Sequence, residues 1–599
     1  MSVINPNAFT TRPEIEGTFG VVTSTHWIAT AVGMAMLEKG GNAFDAAVAT
    51  AFTLQVVEPH LNGPGGDVPV IVYDTRRGNP EVICGQGPAP AGATISHYRS
   101  QGLDLVPGTG LLAACVPGTF ETWMLLLRDY GTVSLREVLG PAIGYAQNGH
   151  PLVERAHATI ASVAQLFREH WPSSVSVYLP NDCIPATGTL FANQALAATY
   201  LRILTEAERA GGDRVTQIEA ARKSWSQGFV AAAIDRFCRT QEIFDSSGRA
   251  HRGVLTGEDM ARWTPRIEPP LTYDYDRYTV CKTGPWGQGP VMLQQLALLK
   301  GFDLEEMDSA GADFIHLQVE CAKLAYADRE EFYGDPDFVE VPMARLLSDA
   351  YNSERRKLVD GTASLTLRPG SIPGYGGKTS RPRRGPAEAA AFAGAGEPTV
   401  GELAVVDGDT VHFDIIDQAG NMVSATPSGG WLQSSPVIPE LGFPLGTRAQ
   451  MFWLDEGHPA ALVPGKRPRT TLTPTLALRD GEPYLGVGTP GGDQQDQWIT
   501  QFFLRHVHAG LNLQEAIDAP AWHSEHFPSS FWPRAARPGV LVLEGRVAGD
   551  TAAELKRRGH VIEVGAEWSE GRLTAASRDG PKRRAAANPR GMQGYAAGR

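Results

Sequence analysis

Residues 362–402 break the texture of the chain. The text LRPGSIPGYGGKTSRPRRGPAEAAAFAGAGEPTVG, which fills most of this stretch, is rich in Gly, Pro, Ala and Arg and carries no apolar period. Such a segment offers neither a sheet nor an amphipathic helix a face to bury, so it reads as a flexible linker. It constrains the fold because α/β text lies on both sides of it and because it leads into Thr410 at the front of a strand. After Thr410, the residues Val411, Phe413 and Ile415 alternate with His412 and Asp414, the period of a half-buried strand, and Asp407-Gly408-Asp409 ahead of it forms a turn. The chain reads as one large α/β unit whose two segments are joined by this flexible connection.

Upstream, Thr25 is placed to cap a helix carrying Ile28, Val32, Ala35 and Met36, and Asn42 opens a second one that ends near Glu58-Pro59-His60. The glycine-rich loop LNGPGGD (61–67) and the strand VPVIVYD follow. Further helices are expected around 117–148, 191–210, 215–239, 289–300 and 310–333. Within the last of these, Asp328-Arg329-Glu330-Glu331 reads most simply as a charged helix face, with a conformational or structural salt-bridge role as the alternative. Downstream, 411–416 and 422–426 form a hairpin, Leu472–Leu478 and Tyr484–Val487 a second, and GTPGGD (488–493) leads into a helix with Trp498, Ile499, Phe502 and Phe503 on its inner side.

The chain has 599 residues and a formal net charge of -13, which opposes non-specific nucleic-acid binding. No apolar run is long enough to span a membrane. The N-terminus shows no basic region followed by an apolar run, so the expected location is the cytoplasm. Six scattered cysteines without a CxxC pair fit free thiols in a reducing compartment. Gly85-Gln86-Gly87 and Gly287-Gln288-Gly289 lack the third glycine of a dinucleotide site, and no Walker A sequence is present. His523/His526 and His506/His508 have metal-like spacing without supporting ligands. Neither a cofactor nor a metal is expected.

Three separated pieces carry the chemistry. Thr410 begins a strand; KRPRTTLTPT (466–475) is dense in hydroxyls and cations; and in GTPGGD, Gly491 and Gly492 can aim successive backbone N–H groups into a cavity. Amides ahead of a helix suit the oxyanion that develops in acyl transfer. Together the pieces suggest a nucleophile, a supporting hydroxyl network and an oxyanion hole.

These motifs occur with LEKGGNAFDAAVATAFTLQVVEPH (37–60), VPGTFETW (116–123), KLAYADREEFYGDPDF (323–338), TVHFDIIDQAGNMVSAT (410–426) and NPRGMQGYAAGR at the C-terminus. In this order they resemble the γ-glutamyltranspeptidases of the N-terminal-nucleophile hydrolase superfamily, over nearly the whole chain. The resemblance implies a four-layer αββα sandwich and an inactive precursor that cuts itself between Asp409 and Thr410. It also implies a heavy segment, 1–409, and a light one, 410–599, that stay associated as one intertwined unit, with a dimer of such heterodimers as a further expectation. Thr410 matches the family's nucleophile, Ser428 its second hydroxyl, Thr470 and Thr471 a serine pair at the substrate-carboxylate end, and Gly491 and Gly492 the oxyanion-hole glycines.

The match fails at the family's two anchors for a γ-glutamyl head group. Ile95 stands at the position of an Arg that grips the α-carboxylate, and Met451 at that of an Asp that grips the amino group. Gly430 replaces an Asn near the nucleophile. An Ile gives an unpaired carboxylate nothing in exchange for its water. The expected substrate is therefore a small, anionic amide held by Arg448 or Arg99 and cleaved with water as acceptor. This pattern resembles the oxamate amidohydrolase-like and cephalosporin acylase-like branch. The alternatives are a true γ-glutamyl hydrolase or transferase acting on glutathione-like substrates, and a non-catalytic binding relative.

Overall fold

The computed structural model describes residues 9–376, 397–398, 407–408 and 410–599. Its centre is a pair of seven-stranded sheets in which every neighbouring pair of strands is antiparallel. The first sheet runs, in spatial order, β14 (Tyr595–Gly598), β2 (Val21–Ser24), β8 (Phe413–Ile416), β9 (Met422–Ala425), β3 (Val68–Tyr73), β4 (Pro80–Gly85) and β5 (Arg266–Glu268). The second runs β1 (Ile15–Gly17), β13 (Lys582–Ala587), β12 (Thr574–Asp579), β11 (Glu482–Gly488), β10 (Thr475–Arg479), β7 (Tyr278–Lys282) and β6 (Leu271–Tyr275). Both sheets interleave strands from before and after residue 410.

Helices Trp27–Glu38, Ala43–Val57 and Thr119–Tyr130 cover the first sheet through one continuous core. Helices Pro290–Leu299, Ala312–Phe332 and Gln495–Val507 cover the second. Between the sheets lies a thinner layer containing Val21, Ile71, Cys281, Trp286, Ile416, Met422, Leu476 and Ala576. This is the αββα sandwich expected from the sequence.

Local chemistry accounts for the elements. Asn42 and Asp45 form a reciprocal capping box on helix Ala43–Val57, all of whose residues are buried, which matches its apolar text. The β8–β9 hairpin closes where Asp417 accepts from the Asn421 N–H (3.0 Å) and Gly420 takes φ +89°. Helix Trp27–Glu38 is capped by the His26 side chain rather than by Thr25, because the Thr25 hydroxyl donates to Glu58 at 2.6 Å.

Three expectations are corrected. The strand after Thr410 is buried on both faces: Val411, Phe413 and Ile415 enter the core under the helices, while His412 and Asp414 face the other sheet. Asp328, Arg329, Glu330 and Glu331 are all buried in helix Ala312–Phe332, because other layers pack around the whole circumference of that helix. Residues 362–376, the start of the expected linker, are fastened to the body: Gly370 N–H donates to Asp328 (2.6 Å), and Arg368 pairs with Glu320 (2.9 Å). Most of the remainder of that stretch, and Asp409, lie outside the described residues.

Candidate active site

Thr410 sits at the entrance to β8 with no exposed surface, and its hydroxyl donates to Ser428 Oγ at 3.2 Å. The hairpin sets this pairing: Val411 N–H bonds to the Pro427 carbonyl (3.1 Å), so the residues flanking the two strand ends lie opposite each other. Ser428 is held from behind by mutual backbone bonds with Asp67, the last residue of the glycine-rich loop (2.9 and 3.0 Å). A Cβ on Gly63 would collide with the Gly430 carbonyl, one on Gly65 with the Pro444 carbonyl, and one on Gly66 with the Ser428 carbonyl. The loop is glycine-rich because it packs backbone on backbone. The same packing explains Gly430, which takes φ +65° and whose Cβ would stand 2.9 Å from Gly66 N, leaving no room for the Asn of the resemblance.

Gly491 and Gly492 follow β11 at φ +115° and +39°. A side chain on Gly491 would enter the Trp498 ring. Gly486 lies against Asp414 and Gly488 against the His412 ring, so β11 runs antiparallel to β8 across the gap and the loop that follows it leaves toward the Thr410 end of β8. Behind the nucleophile, His412 donates from Nε2 to Asp414 (3.0 Å), and its Nδ1 pairs with the Thr426 hydroxyl (2.9 Å). This buried network fixes the strand without touching Thr410's hydroxyl.

Thr470 lies beside the glycine loop: its carbonyl accepts from Gln288 N–H (2.9 Å), and the Gln288 side chain donates to the Gly492 carbonyl (3.2 Å). Thr471 Oγ1 is buried and has no hydrogen-bond partner among the described residues. Arg448 is buried next to the Ser428 turn, where its Nε and Nη2 hold Asp67 at 3.1 and 2.9 Å. Burial pushes the Asp67 carboxyl up, and Arg448 opposes that rise. Arg99 is not brought to the nucleophile's partners: its side chain is 55% exposed, donates to the Leu454 carbonyl and lies 3.7 Å from Glu456. It is withdrawn as an anion anchor, because its helix, Ile95–Ser100, turns it to the surface.

Both anchor positions of the resemblance are apolar in the structure. Ile95 packs on a cluster containing Ala449 and Phe452, and Met451, between those two in the chain, lies in a separate cluster with Trp431 and Phe531. Arg534 braces this wall from behind, donating from Nη2 to the carbonyls of Gln450 (2.9 Å) and Phe452 (3.1 Å), on either side of Met451. Burial and the nearby Arg469 pull its pKa down to about 9.

The largest group missed from the sequence is the charge cluster under the glycine loop. Arg329 pairs with Asp493 and, at 2.9 Å, with Glu330, which also binds Arg469 at 2.6 Å. Burial would raise the Glu330 pKa, but Arg469 and Arg329 hold it below its ordinary value. The available signal was the helix text itself: Phe314, Leu317, Val319, Ala322 and Leu324 leave little room for a solvated face. The histidines with metal-like spacing serve other bonds, with His523 held by Glu570 and Glu525 and His506 by Tyr484. Among the described residues, His316, Glu320 and His560 could converge on an ion, but the Glu320 oxygens are taken by Lys323 and Arg368, two cations that would repel one.

A family model described as gamma-glutamyltranspeptidase matches residues 29–598. The chain is 30% identical to the glutathione hydrolase-like YwrD proenzyme of Bacillus subtilis, across 92% of each protein. It is 31% identical to the oxamate amidohydrolase proenzyme of Klebsiella pneumoniae, across 92% of this chain and 93% of that one. The solved structure of LmbA2991HD is 55% identical, with a TM-score of 0.92 over 99% of this chain and 100% of that one.

Proposed function

The chain belongs to the γ-glutamyltranspeptidase family, self-processing hydrolases and transferases with an N-terminal nucleophile, and from that premise we propose that Thr410 is its nucleophile and a small anionic amide its substrate. The observation that carries this reading is the buried Thr410–Ser428 hydroxyl pair, set in register with the Gly491-Gly492 loop.

In the precursor, the Thr410 hydroxyl attacks the Asp409 carbonyl, the acyl group moves from nitrogen to oxygen, and water hydrolyses the resulting ester. The cut supplies what the hydroxyl lacks, since a free α-amine has a pKa of about 8 and can act as base, whereas an amide nitrogen cannot. In turnover, that amine takes the hydroxyl proton as Thr410 Oγ1 attacks the substrate carbonyl, with Ser428 orienting the pair. The oxyanion forms toward the Gly491 and Gly492 amides. The leaving amine takes the proton, and water releases the acyl group from Thr410. Thr470 and Thr471 supply hydroxyls to the acyl end, where the unpartnered Thr471 Oγ1 is available.

The wall around Met451 supports an acyl group without an ammonium. It offers Trp431, Met451 and Phe531, is braced by Arg534, and has Asp67 bonded to Arg448. An ammonium placed there would lose water without gaining a carboxylate. The γ-glutamyl alternative is supported by several relatives that are glutathione hydrolases or resemble them. The interleaving of strands from both segments in both sheets supports their staying together after cutting. The free cysteines, most of them buried, support a reducing, cytoplasmic setting.

Denaturing electrophoresis with mass spectrometry should resolve the wild-type chain into 1–409 and 410–599. Thr410→Ala should remain one chain and lose activity by at least about 10³-fold. Retained activity in that variant would remove Thr410 from the role. Assaying oxamate beside a γ-glutamyl anilide decides the substrate class, and turnover of the anilide alone would overturn the anionic-amide reading.

A further inference from the structure

We infer that Arg329 is a positioning residue for the oxyanion loop, fixing the Gly491 and Gly492 amides through Asp493 and Gln288 without touching substrate. The inference rests on reading that loop as the oxyanion hole.

Glycine has no side chain to select one backbone conformation, so the direction of two successive Gly amides must be imposed from outside. Here both glycines take positive φ, and their neighbours are held at several points. The fully buried Arg329 guanidinium binds the Asp493 carboxylate and donates to Gln288 Oε1 at 2.9 Å. Gln288 in turn donates to the carbonyl of Gly492 (3.2 Å). Ser530 adds its N–H and its hydroxyl to Asp493, both at 2.7 Å, and Tyr326 OH donates to the Asp493 carbonyl. One guanidinium therefore grips both the side chain after the glycines and, through Gln288, the carbonyl between Gly492 and Asp493.

The planar fork matters. Arg329 Nη1 serves both Asp493 and Gln288, while Nε reaches Glu330 at 3.1 Å and Nη2 at 2.9 Å. The Arg329 carbonyl also accepts from Arg469 at 3.2 Å, immediately before Thr470, so the same residue ties the hydroxyl segment to the oxyanion loop. An amine could carry the charge but not this geometry. Oxyanion donors act only when aimed at the position the charge will occupy.

The test uses cleaved protein and p-nitrophenyl acetate, an ester that demands little beyond a nucleophile and an oxyanion hole. Arg329→Lys and Asp493→Asn should each lower kcat at least about tenfold, with KM within about twofold, as expected when an oxyanion donor is misaimed. Their double variant should be no slower than the slower single, because both act through one contact. Unchanged kcat, a rise in KM alone, or losses that multiply in the double variant would overturn the inference. Melting temperature and the extent of cleavage are measured for every variant. If Arg329→Lys does not fold, Ser530→Ala and Tyr326→Phe each remove one bond from Asp493. Lowered kcat at constant KM in these supports the inference, and unchanged kcat overturns it. Thr410→Ala, assayed as the uncleaved chain it is expected to remain, separates the premises: full esterase activity there would overturn the nucleophile reading and this inference with it. Lost activity there beside an unaffected Arg329→Lys would overturn this inference alone.

Discussion

On one side of the site, Thr410 and Ser428 stand on backbone packed against backbone, whereas the Gly491-Gly492 loop stands on buried ion pairs. The first support is made by Gly63, Gly65 and Gly66, whose missing side chains let the 61–67 loop close on residues 428–446. The second is made by Arg329, Glu330, Arg469 and Asp493. The two supports fail in opposite ways. A close-packed backbone tolerates no added atom, and a buried charge network tolerates no lost charge. The contrast suits the tasks proposed for them: a nucleophile at Thr410 would have to keep one position before and after a neighbouring bond is cut, and an oxyanion loop would have to hold dipoles aimed at a transient charge.

The largest effect should come from breaking the ionic side. Glu330→Gln leaves two buried guanidinium groups short of a carboxylate and should destabilise the fold by about 3–5 kcal/mol, read by chemical denaturation. A loss below about 1 kcal/mol would show that the network is not a support.

Apart from both supports, Glu58 is buried and bonded to Thr25, whose N–H pairs with the His412 carbonyl next to β8. Burial raises its pKa to about 7. The folded state then holds a proton that the unfolded state has released, so stability is full below pH ~4.5 and falls as pH rises to ~7, by about 3 kcal/mol. Glu58→Gln should flatten that window and gain stability at pH 8; an unchanged pH profile would remove Glu58 as its source.

The steric side should give the smallest change in stability. Gly66→Ala pushes a methyl into the Ser428 carbonyl and should cost about 1–3 kcal/mol. It should also displace Ser428 and slow cleavage at Asp409–Thr410. Cleavage at the wild-type rate would show that the loop tolerates the methyl and that the contrast between the two supports is overdrawn.

Much of the site was legible because its residues are chemically odd for their local setting. A Thr after a turn, a hydroxyl-dense basic stretch and a Gly-Gly pair ahead of a helix stand out without knowledge of the fold. Arg329 did not, since a charged quartet on a helix normally faces water, and only the layers around residues 312–332 deny it that. Arg448 and Arg99 looked alike as free cations; one turns inward to Asp67 and the other outward to Glu456. Ile95 and Met451, hundreds of positions apart, both face apolar clusters, Ile95 that of Ala449 and Phe452 and Met451 that of Trp431 and Phe531.

By itself, the sequence determined the periodicities of the sheet strands and helices, the hairpin that carries Thr410 and the glycine loops, because these follow from local pattern and backbone preference; the αββα class was legible only through the family resemblance. Only the tertiary structure decided which charges are solvated and which are locked in the interior, and which strand faces which across the sandwich. Charge pairing and inter-sheet register join residues far apart in the chain, and no local propensity encodes them.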